Sequence, residues 1–266
     1  MSAPASSSDS DFPYWLVGIG IIGAIAVFLI ASSELYTQIL NAVGKGLYIT
    51  VFVTLVGFFL ASAFGLLIAI MALSKSLIMR QIARFYVEVV RGIPMLVLLF
   101  YVAFVAAPSF VVFWNFVTAP LIENEIIDKM TVRDFPLIWR ASIALMIGYS
   151  AFISEIFRAG IQAIDKGQLE AAQALGIGRW HRFRFIVFPQ ALRIIMPPLG
   201  NDFIAMVKDS SLVSVLGVAD LTQMGKVYAA GSFRFFETYT IVALIYLFLT
   251  VLLSLGLRAV ERRLNT

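Results

Sequence analysis

Long apolar runs alternate with short polar segments along most of the chain. A helix needs about 20 apolar residues to cross a bilayer. Six runs approach that length: residues 14–31, 46–73, 94–117, 139–157, 194–218 and 239–257. This pattern predicts an all-α protein that crosses the membrane several times. The fifth run contains Pro197-Pro198 and the polar stretch 208–211, so we expect its helix to be broken there.

The second run carries small residues at every fourth position, namely Gly57, Ala61 and Gly65. Residues at this spacing share one helix face. Small side chains on that face allow two membrane helices to pack closely. The alternative is that glycine and alanine serve here only as neutral filler.

The composition supports a membrane protein and excludes several kinds of site. The 266 residues are 61% hydrophobic with a mean hydropathy of +0.92, whereas soluble domains are about 45–50% apolar. The chain has no cysteine and one histidine. Disulfides, thiol nucleophiles and multi-histidine metal sites are therefore excluded. We expect no metal and no cofactor.

Basic and acidic loops alternate between the apolar runs, and basic loops are typical of the cytoplasmic side. The basic positions are Lys75, Arg80 and Arg84, then Lys166, Arg179, Arg182, Arg184 and Arg193, and finally Arg258, Arg262 and Arg263. Residues 123–134 are acidic instead. The net charge of +4 therefore indicates membrane topology rather than nucleic-acid binding. Residues 1–13 are expected to form a disordered cytoplasmic tail, but the tail is acidic, so the first run could instead lie in the membrane interface.

A short polar segment between the fourth and fifth runs predicts a surface helix. Asp165 and Gln168 form a variant of the reciprocal N-terminal cap, and Gly176 is suited to the left-handed conformation that closes a helix. The residues between them are good helix formers. A short helix of this kind can lie in a groove of another protein.

Ionisable residues inside the apolar runs require a physical explanation, because inserting each one near the bilayer centre costs about 2.5–3.5 kcal/mol. Glu155 and Arg158 are three residues apart and can pair with each other. Glu88 and Arg91 open the third run just before Pro94. These residues either neutralise one another or line a path for a polar solute. The candidates for such a path are Arg91, Glu155, Arg158, Asn201, Asp202, Lys208 and Ser211.

The polar segment resembles the coupling loop of ABC importer permeases. Glu170-Ala171-Ala172, then Gly176, then Pro189 stand at the spacing of that family's motif, with Phe188 where leucine is usual. The stretches 149–162, 189–193, 197–203 and 208–214 further resemble the branch that takes up polar amino acids such as His, Arg, Lys, Gln, Glu and opines. This resemblance covers residues 40–260, and coupling loop 160–192 lies within it.

The resemblance implies the type I importer permease fold, a five-helix core with residues 14–38 as one extra N-terminal apolar helix. It also implies a multi-pass protein of the bacterial inner membrane. Its partners would be an ABC ATPase dimer, a second permease subunit (identical or sister), an extracytoplasmic solute-binding protein and the amino acid. The ATPase would contact Glu170, Ala171, Ala172, Gly176 and Pro189.

The sequence also departs from this family around Arg91. The family usually has Arg-Gly-Thr-Pro followed by Gln around Arg91, whereas Ile93 and Leu98 stand at those positions here. The subunit therefore either recognises a different substrate or is the half of a permease pair that engages substrate less. No Gly-x-x-x-x-Gly-Lys-Ser/Thr phosphate loop is found, so we expect no ATPase activity of its own.

Two other function classes remain as alternatives. An ion-coupled secondary transporter would use the same buried charges, but such folds often have an inverted repeat and none is evident. An intramembrane enzyme would need a nucleophile and a base, and Lys208 with Ser211 is the one pair that could meet on a helix.

Overall fold

The computed structural model describes residues 14–265, and all regular structure within that range is helical. The predicted disordered tail, 1–13, lies outside the described residues. The α-helices are α1 (Tyr14–Ser32), α2 (Glu34–Gly44), α3 (Leu47–Ala72), α4 (Leu77–Gly92), α5 (Met95–Tyr101), α6 (Ala107–Val117), α7 (Ala119–Glu123), α8 (Leu137–Gln162), α9 (Lys166–Ala174), α10 (Arg179–Arg182), α11 (Phe188–Asp209), α12 (Leu221–Ser232) and α13 (Phe235–Asn265).

Five segments of residues 14–265 are long and apolar enough to cross a membrane. They are Tyr14–Ser32, Glu34–Ala72, Met95–Val117, Leu137–Gln162 and Phe235–Arg263. The predicted fifth run, in α11, is not among them, because its prolines and polar side chains lower its hydropathy. Helix α11 instead packs against α3, α8 and α13, so protein surrounds much of it.

The predicted break at Pro197-Pro198 is wrong. Helix α11 continues through both prolines and ends at Asp209, where the chain changes to a 3₁₀ helix over Ser210–Leu216. Membrane helices tolerate proline where neighbouring helices and local adjustments satisfy the freed carbonyls. The polar stretch, rather than the proline pair, therefore ends the α-helix.

Two π-helical turns interrupt otherwise continuous helices, and each lies just before a proline. Val102–Ala106 joins α5 to α6 ahead of Pro108, and Phe183–Val187 joins α10 to α11 ahead of Pro189. A proline ring crowds the carbonyl four residues earlier. That carbonyl lies inside the π turn in both cases, and the wider turn gives the ring room.

Helices α3 and α8 form the centre of the protein and pack along each other. Gly57, Ala61 and Gly65 are all buried in this contact. A Cβ atom added to Gly65 would lie 3.0 Å from the carbonyl oxygen of Ser150 and 3.2 Å from the backbone nitrogen of Ser154. The close-packing interpretation of the small-residue repeat is therefore confirmed.

The apolar run before α3 is longer than one helix and bends at Lys45-Gly46, between α2 and α3. Helix α12 packs against this bend. The carboxylate of Asp220 caps α12 by accepting from the N–H groups of Thr222 and Gln223. The backbone N–H of Leu221 donates to the hydroxyl of Thr50 at 3.0 Å, which ties α12 to α3.

The sequence predicted that Glu88 and Arg91 open the third membrane run, and this prediction is wrong. They lie in the last two turns of α4, a separate helix. The chain is extended at Ile93 and Pro94, and the next helix begins at Met95. The proline thus separates two helices, and it leaves Arg91 at the end of α4 beside α8 and α11.

Candidate functional site

A cleft of about 380 Å³ lies between α4, α5, α8 and α11. Most of its wall is apolar, with Pro94, Met95 and Leu98 on one side. Three charged side chains also line it: Arg91 from α4, and Asp202 and Asp209 from α11. This volume falls within the range of small-molecule sites, whose polar groups are typically few. We call it the first cleft.

Arg91 enters the first cleft with its hydrogen-bonding groups available. Its guanidinium carbon lies 5.2 Å from the centroid of the Phe152 ring, a cation–π contact between α4 and α8. Within residues 14–265 the guanidinium makes no hydrogen bond or ion pair. Stacking on the ring face leaves the N–H edges free to bind a carboxylate with two parallel hydrogen bonds.

Asp202 and Asp209 reach the first cleft from the same face of α11, since seven residues correspond to about two helical turns. The hydroxyl of Tyr149 donates to Oδ2 of Asp209 at 2.8 Å. Oδ2 of Asp202 is buried and has no hydrogen-bond partner within the described chain. A buried carboxylate oxygen without a partner is costly, so it marks a place where a ligand's donor would be stabilised.

The first cleft is therefore lined by a guanidinium and a carboxylate that have no hydrogen-bond partner within the described chain. An amino-acid zwitterion carries the complementary pair of charges. Its carboxylate fits the guanidinium of Arg91, and its ammonium group fits Asp202, with the apolar wall and Tyr149 left for the side chain.

A second cleft, also about 380 Å³, lies between the end of α3, α4 and α8. It is much more strongly charged than the first. Its charged side chains are Arg80, Arg84, Glu88 and Arg91 from α4 and Glu155 and Arg158 from α8. Arg91 therefore lines both clefts.

Glu155 and Arg158 form the ion pair that their spacing predicted. Nε and Nη2 of Arg158 donate to the two carboxylate oxygens at 3.1 and 2.5 Å. Nη1 of the same guanidinium donates to Oε1 of Gln162 at 2.8 Å. About a third of each side chain of the pair is exposed, on the wall of the second cleft. The pair carries no net charge, and the guanidinium of Arg158 already donates hydrogen bonds to Glu155 and Gln162.

The remaining predicted path residues are not brought to either cleft. Asn201 and Lys208 are exposed on a different face of α11 from Asp202 and Asp209, and Ser211 is half-buried in the 3₁₀ segment. Sequence reasoning missed Asp209 and chose its neighbour Lys208. The seven-residue spacing places Asp209 on the helix face of Asp202, but Asn201 and Lys208 have the same spacing, so the sequence alone does not choose between the two faces.

The polar segment after α8 forms α9, the predicted surface helix. Oδ1 of Asp165 accepts from the backbone N–H of Gln168 at 3.2 Å, which caps its start. At its end Gly176 has a φ of +74°. The N–H of Gly176 donates to the carbonyl of Gln173, and that of Ile177 donates to Ala172, both at 3.0 Å. This is the glycine closure that the sequence predicted.

The start of α9 is not capped reciprocally, however. Oε1 of Gln168 accepts from Nε2 of Gln190 at 2.8 Å, so this side chain ties α9 to α11 instead. Glu170 and Ala171 are exposed, Ala172 is buried, and Pro189 is exposed in the first turn of α11. The helix is therefore held to the body by one face and presents another to solvent.

Exposed apolar side chains surround this helix. Leu175 is 79% exposed, and Trp180 and Phe185 are each 65% exposed. They alternate with Arg179, Arg182 and Arg184 in the adjoining α10 and π turn. A cluster of large apolar side chains at the surface is typical of an interaction site.

Comparison with known proteins gives a consistent result. A family described as "Binding-protein-dependent transport system inner membrane component" matches residues 61–266. The glutamine transport system permease protein GlnP of Escherichia coli K12 is 35% identical over 222 residues, which cover 83% of this chain and 92% of that protein. The probable amino-acid permease protein YxeN of Bacillus subtilis 168 is 33% identical over 221 residues, 83% of this chain and 90% of that one.

Solved structures show the same similarity. A crystal structure of an amino acid ABC transporter with histidines has a TM-score of 0.71 at 35% identity, covering 85% of this chain and 96% of that one. An inward-facing structure of the MetNI methionine ABC transporter has a TM-score of 0.62 at 19% identity, covering 87% and 99%. The second likeness concerns the fold alone.

Proposed function

Because the chain belongs to the family of binding-protein-dependent transport system inner-membrane components, as its motifs predicted, we propose that it forms the translocation path of an ATP-driven importer of polar amino acids. It is a multi-pass inner-membrane protein with the fold of ABC importer permeases. The names of GlnP and YxeN, which refer to glutamine and to amino acids, support this substrate class. An ion-coupled secondary transporter is not favoured by this family.

The observation that carries the proposal is the first cleft. Arg91 has no hydrogen bond within the described chain, and Asp202 has a buried oxygen without a partner. Ionisable groups at membrane depth persist when they are paired or when they serve a passing polar solute. Arg91 would bind the carboxylate and Asp202 the ammonium, while Tyr149 holds Asp209 in place. Glu155 and Arg158 would line the route below.

The second part of the proposal concerns α9. Its exposed face, Glu170 and Ala171, together with the surrounding apolar side chains, would dock on a cytoplasmic ABC ATPase dimer. The motif positions Ala172, Gly176 and Pro189 would hold the helix and its exit in place. ATP-driven closure of the ATPases would then move α9 within coupling loop 160–192 and bias the permease between its two states.

Two further partners follow from the same proposal. Asn201 and Lys208 are exposed on α11, which packs against α3, α8 and α13, three helices of membrane-length segments. Lipid would not satisfy these polar side chains. A second permease subunit, identical or sister, would cover that face of the 40–260 domain. A solute-binding protein would deliver the amino acid from outside. Residues 14–38 would lie outside this machinery as an additional helix.

Reconstitution tests the proposal directly. The chain purified alone should not hydrolyse ATP, whereas the complex with its ATPase in proteoliposomes should take up a labelled polar amino acid when ATP and loaded binding protein are supplied. The R91Q complex should assemble but take up about tenfold less, since it loses a charge-assisted contact with the solute. Normal uptake by both R91Q and D202N would remove the first cleft from the path.

The coupling role of α9 predicts a different defect. Gly176→Val should leave the membrane fold intact but lower uptake strongly, because a β-branched residue resists a φ of +74°. Co-purification of the ATPase should fall with it. The matched control is Gly178→Val, since Gly178 lies two residues away with a negative φ. Equal uptake by the two variants would contradict the assigned role of Gly176.

A further inference from the structure

Arg91 is shared by two clefts that follow one another along α8. The first cleft uses Gly148, Tyr149 and Phe152 of that helix, and the second uses Glu155, Arg158 and Gln162. At a rise of about 1.5 Å per residue, the midpoints of the two sets of residues are roughly 13 Å apart along the helix axis. The second cleft is the nearer one to α9, so it lies toward the cytoplasm. A solute leaving the first cleft inward would reach it next.

Not all the cations of the second cleft are available to a solute. Arg158 is held by Glu155 and Gln162. Arg80 donates through Nη1 to the carbonyls of Ser74 and Lys75 at 3.0 and 2.8 Å. Arg84 and Arg91, by contrast, make no hydrogen bond or ion pair within residues 14–265. The available guanidiniums are therefore those of Arg84, in the middle of the cleft's α4 wall, and of Arg91, at the end nearer the first cleft.

Glu88 lies between these two arginines and is also without a partner in the described chain. It stands four residues after Arg84 and three before Arg91, spacings at which opposite charges on a helix normally pair. No ion pair forms at either spacing. The second cleft is thus, like the first, lined by guanidinium and carboxylate groups without a partner in the described chain.

We propose that the second cleft is an exit station for the transported amino acid, in which Arg84 receives the carboxylate that Arg91 releases and Glu88 receives the ammonium group. This inference rests on the proposed function and adds a second binding site to it. Arg84 and Arg91 are two helical turns apart on one face, so the carboxylate always has a guanidinium within reach as it moves inward.

The charges of this station also determine which amino acids pass it well. Four arginines and two glutamates line it. The excess of positive charge in the cleft repels a basic side chain and favours a neutral or acidic one. Arginine should therefore leave more slowly than glutamine or glutamate.

Arg84→Gln in the complete reconstituted transporter tests the exit station. We measure maximal uptake of labelled glutamine, glutamate and arginine, and the concentration of loaded binding protein that gives half of it. Maximal uptake of glutamine and glutamate should fall by about tenfold, as expected for a lost charge-assisted contact, while the half-saturating concentration stays unchanged. Maximal uptake of arginine should fall less, so the ratio of glutamate uptake to arginine uptake should decrease.

Lys75→Gln is the matched control, because Lys75 lies on the same side of the membrane and does not line the cleft. Arg84→Lys should retain most of the uptake, and Glu88→Gln should lower it as a second variant with a different charge. Wild-type uptake by both R84Q and E88Q would overturn the exit station. If R91Q is then still defective, the first cleft and the proposed function stand without it. If R91Q is also normal, the path itself is wrong.

Discussion

Helices α1 and α8 are both long enough to cross a membrane, yet they have opposite environments. In the most apolar 18-residue window of α1 only 6% of the residues are buried, whereas 61% are buried in that of α8. Helix α8 is nevertheless the less hydrophobic of the two. It carries serines, small residues and an ion pair, while α1 is apolar on all sides. The more apolar helix, α1, is therefore the one at the periphery of the protein.

This difference shows which interactions stabilise a helix in the interior of a membrane protein. Lipid tails are as apolar as leucine side chains, so there is little hydrophobic gain in moving α1 inward. Close backbone packing and hydrogen bonds between helices provide the stabilisation instead. Helix α8 offers both, through its contact with Gly65 and through a 2.7 Å hydrogen bond between Ser150 and Tyr86 of α4.

The largest effect should come from enlarging the residue at the closest contact. Gly65→Leu should destabilise the protein by about 1–3 kcal/mol, since the neighbouring atoms include α8 backbone that cannot move aside. Gly20→Leu in α1 is the matched control, because no atom lies within 4 Å of a Cβ added there. Thermal unfolding in detergent measures both. Equal melting temperatures would remove the distinction between the two helices.

A smaller effect should come from removing the hydrogen bond between α4 and α8. Ser150→Ala should cost about 1 kcal/mol, the scale of such bonds in membrane proteins. The hydroxyl of Tyr86 retains a second acceptor, the carbonyl of Ile147 at 3.1 Å, which limits the loss. Ser32→Ala is the control, since within residues 14–265 that hydroxyl bonds only the carbonyl of Leu29, in its own helix. A free energy of unfolding unchanged in S150A would show that packing alone holds α8.

The smallest effect should come from the contact that holds α1 itself. The guanidinium of Arg258 lies 4.9 Å from the Trp15 ring centroid, and such contacts are worth about 0.5–1 kcal/mol at exposed sites. Trp15→Ala should loosen α1 from α13 without lowering the melting temperature. Since the chain has no cysteine, a short thiol cross-linker between Gly23→Cys and Phe248→Cys can report the loosening. Unchanged cross-linking would mean that other contacts hold α1.

Several features followed from local sequence rules. The membrane helices were predictable because apolar length is the main requirement for crossing a bilayer. The closure at Gly176 was predictable because few other residues adopt a positive φ. The repeat of Gly57, Ala61 and Gly65 was predictable as a contact face, although only packing distinguishes a contact from filler. The family motif added the fold, since its residues and spacings occur together.

Other features depended on contacts between distant parts of the chain. Glu155 and Arg158 could be paired from their spacing alone, because both stand on one helix. The grouping of Arg91 with Asp202 and Asp209 could not be predicted from spacing, because these residues lie on two helices, α4 and α11, that meet beside α8. The same holds for the choice of Asp209 over Lys208, which depends on the rotation of α11 about its axis. Gln168 likewise bonds Gln190 rather than its own helix start.

The sequence by itself thus determined which long apolar segments are helices, where α9 closes and which family the chain belongs to. These depend on backbone geometry, apolar length and spacing within one segment. The tertiary structure decided that α11 continues through its prolines, that Arg91 borders two clefts, and which charges remain without a partner. Those depend on the positions and rotations of helices relative to one another, and these are set by packing across the whole chain.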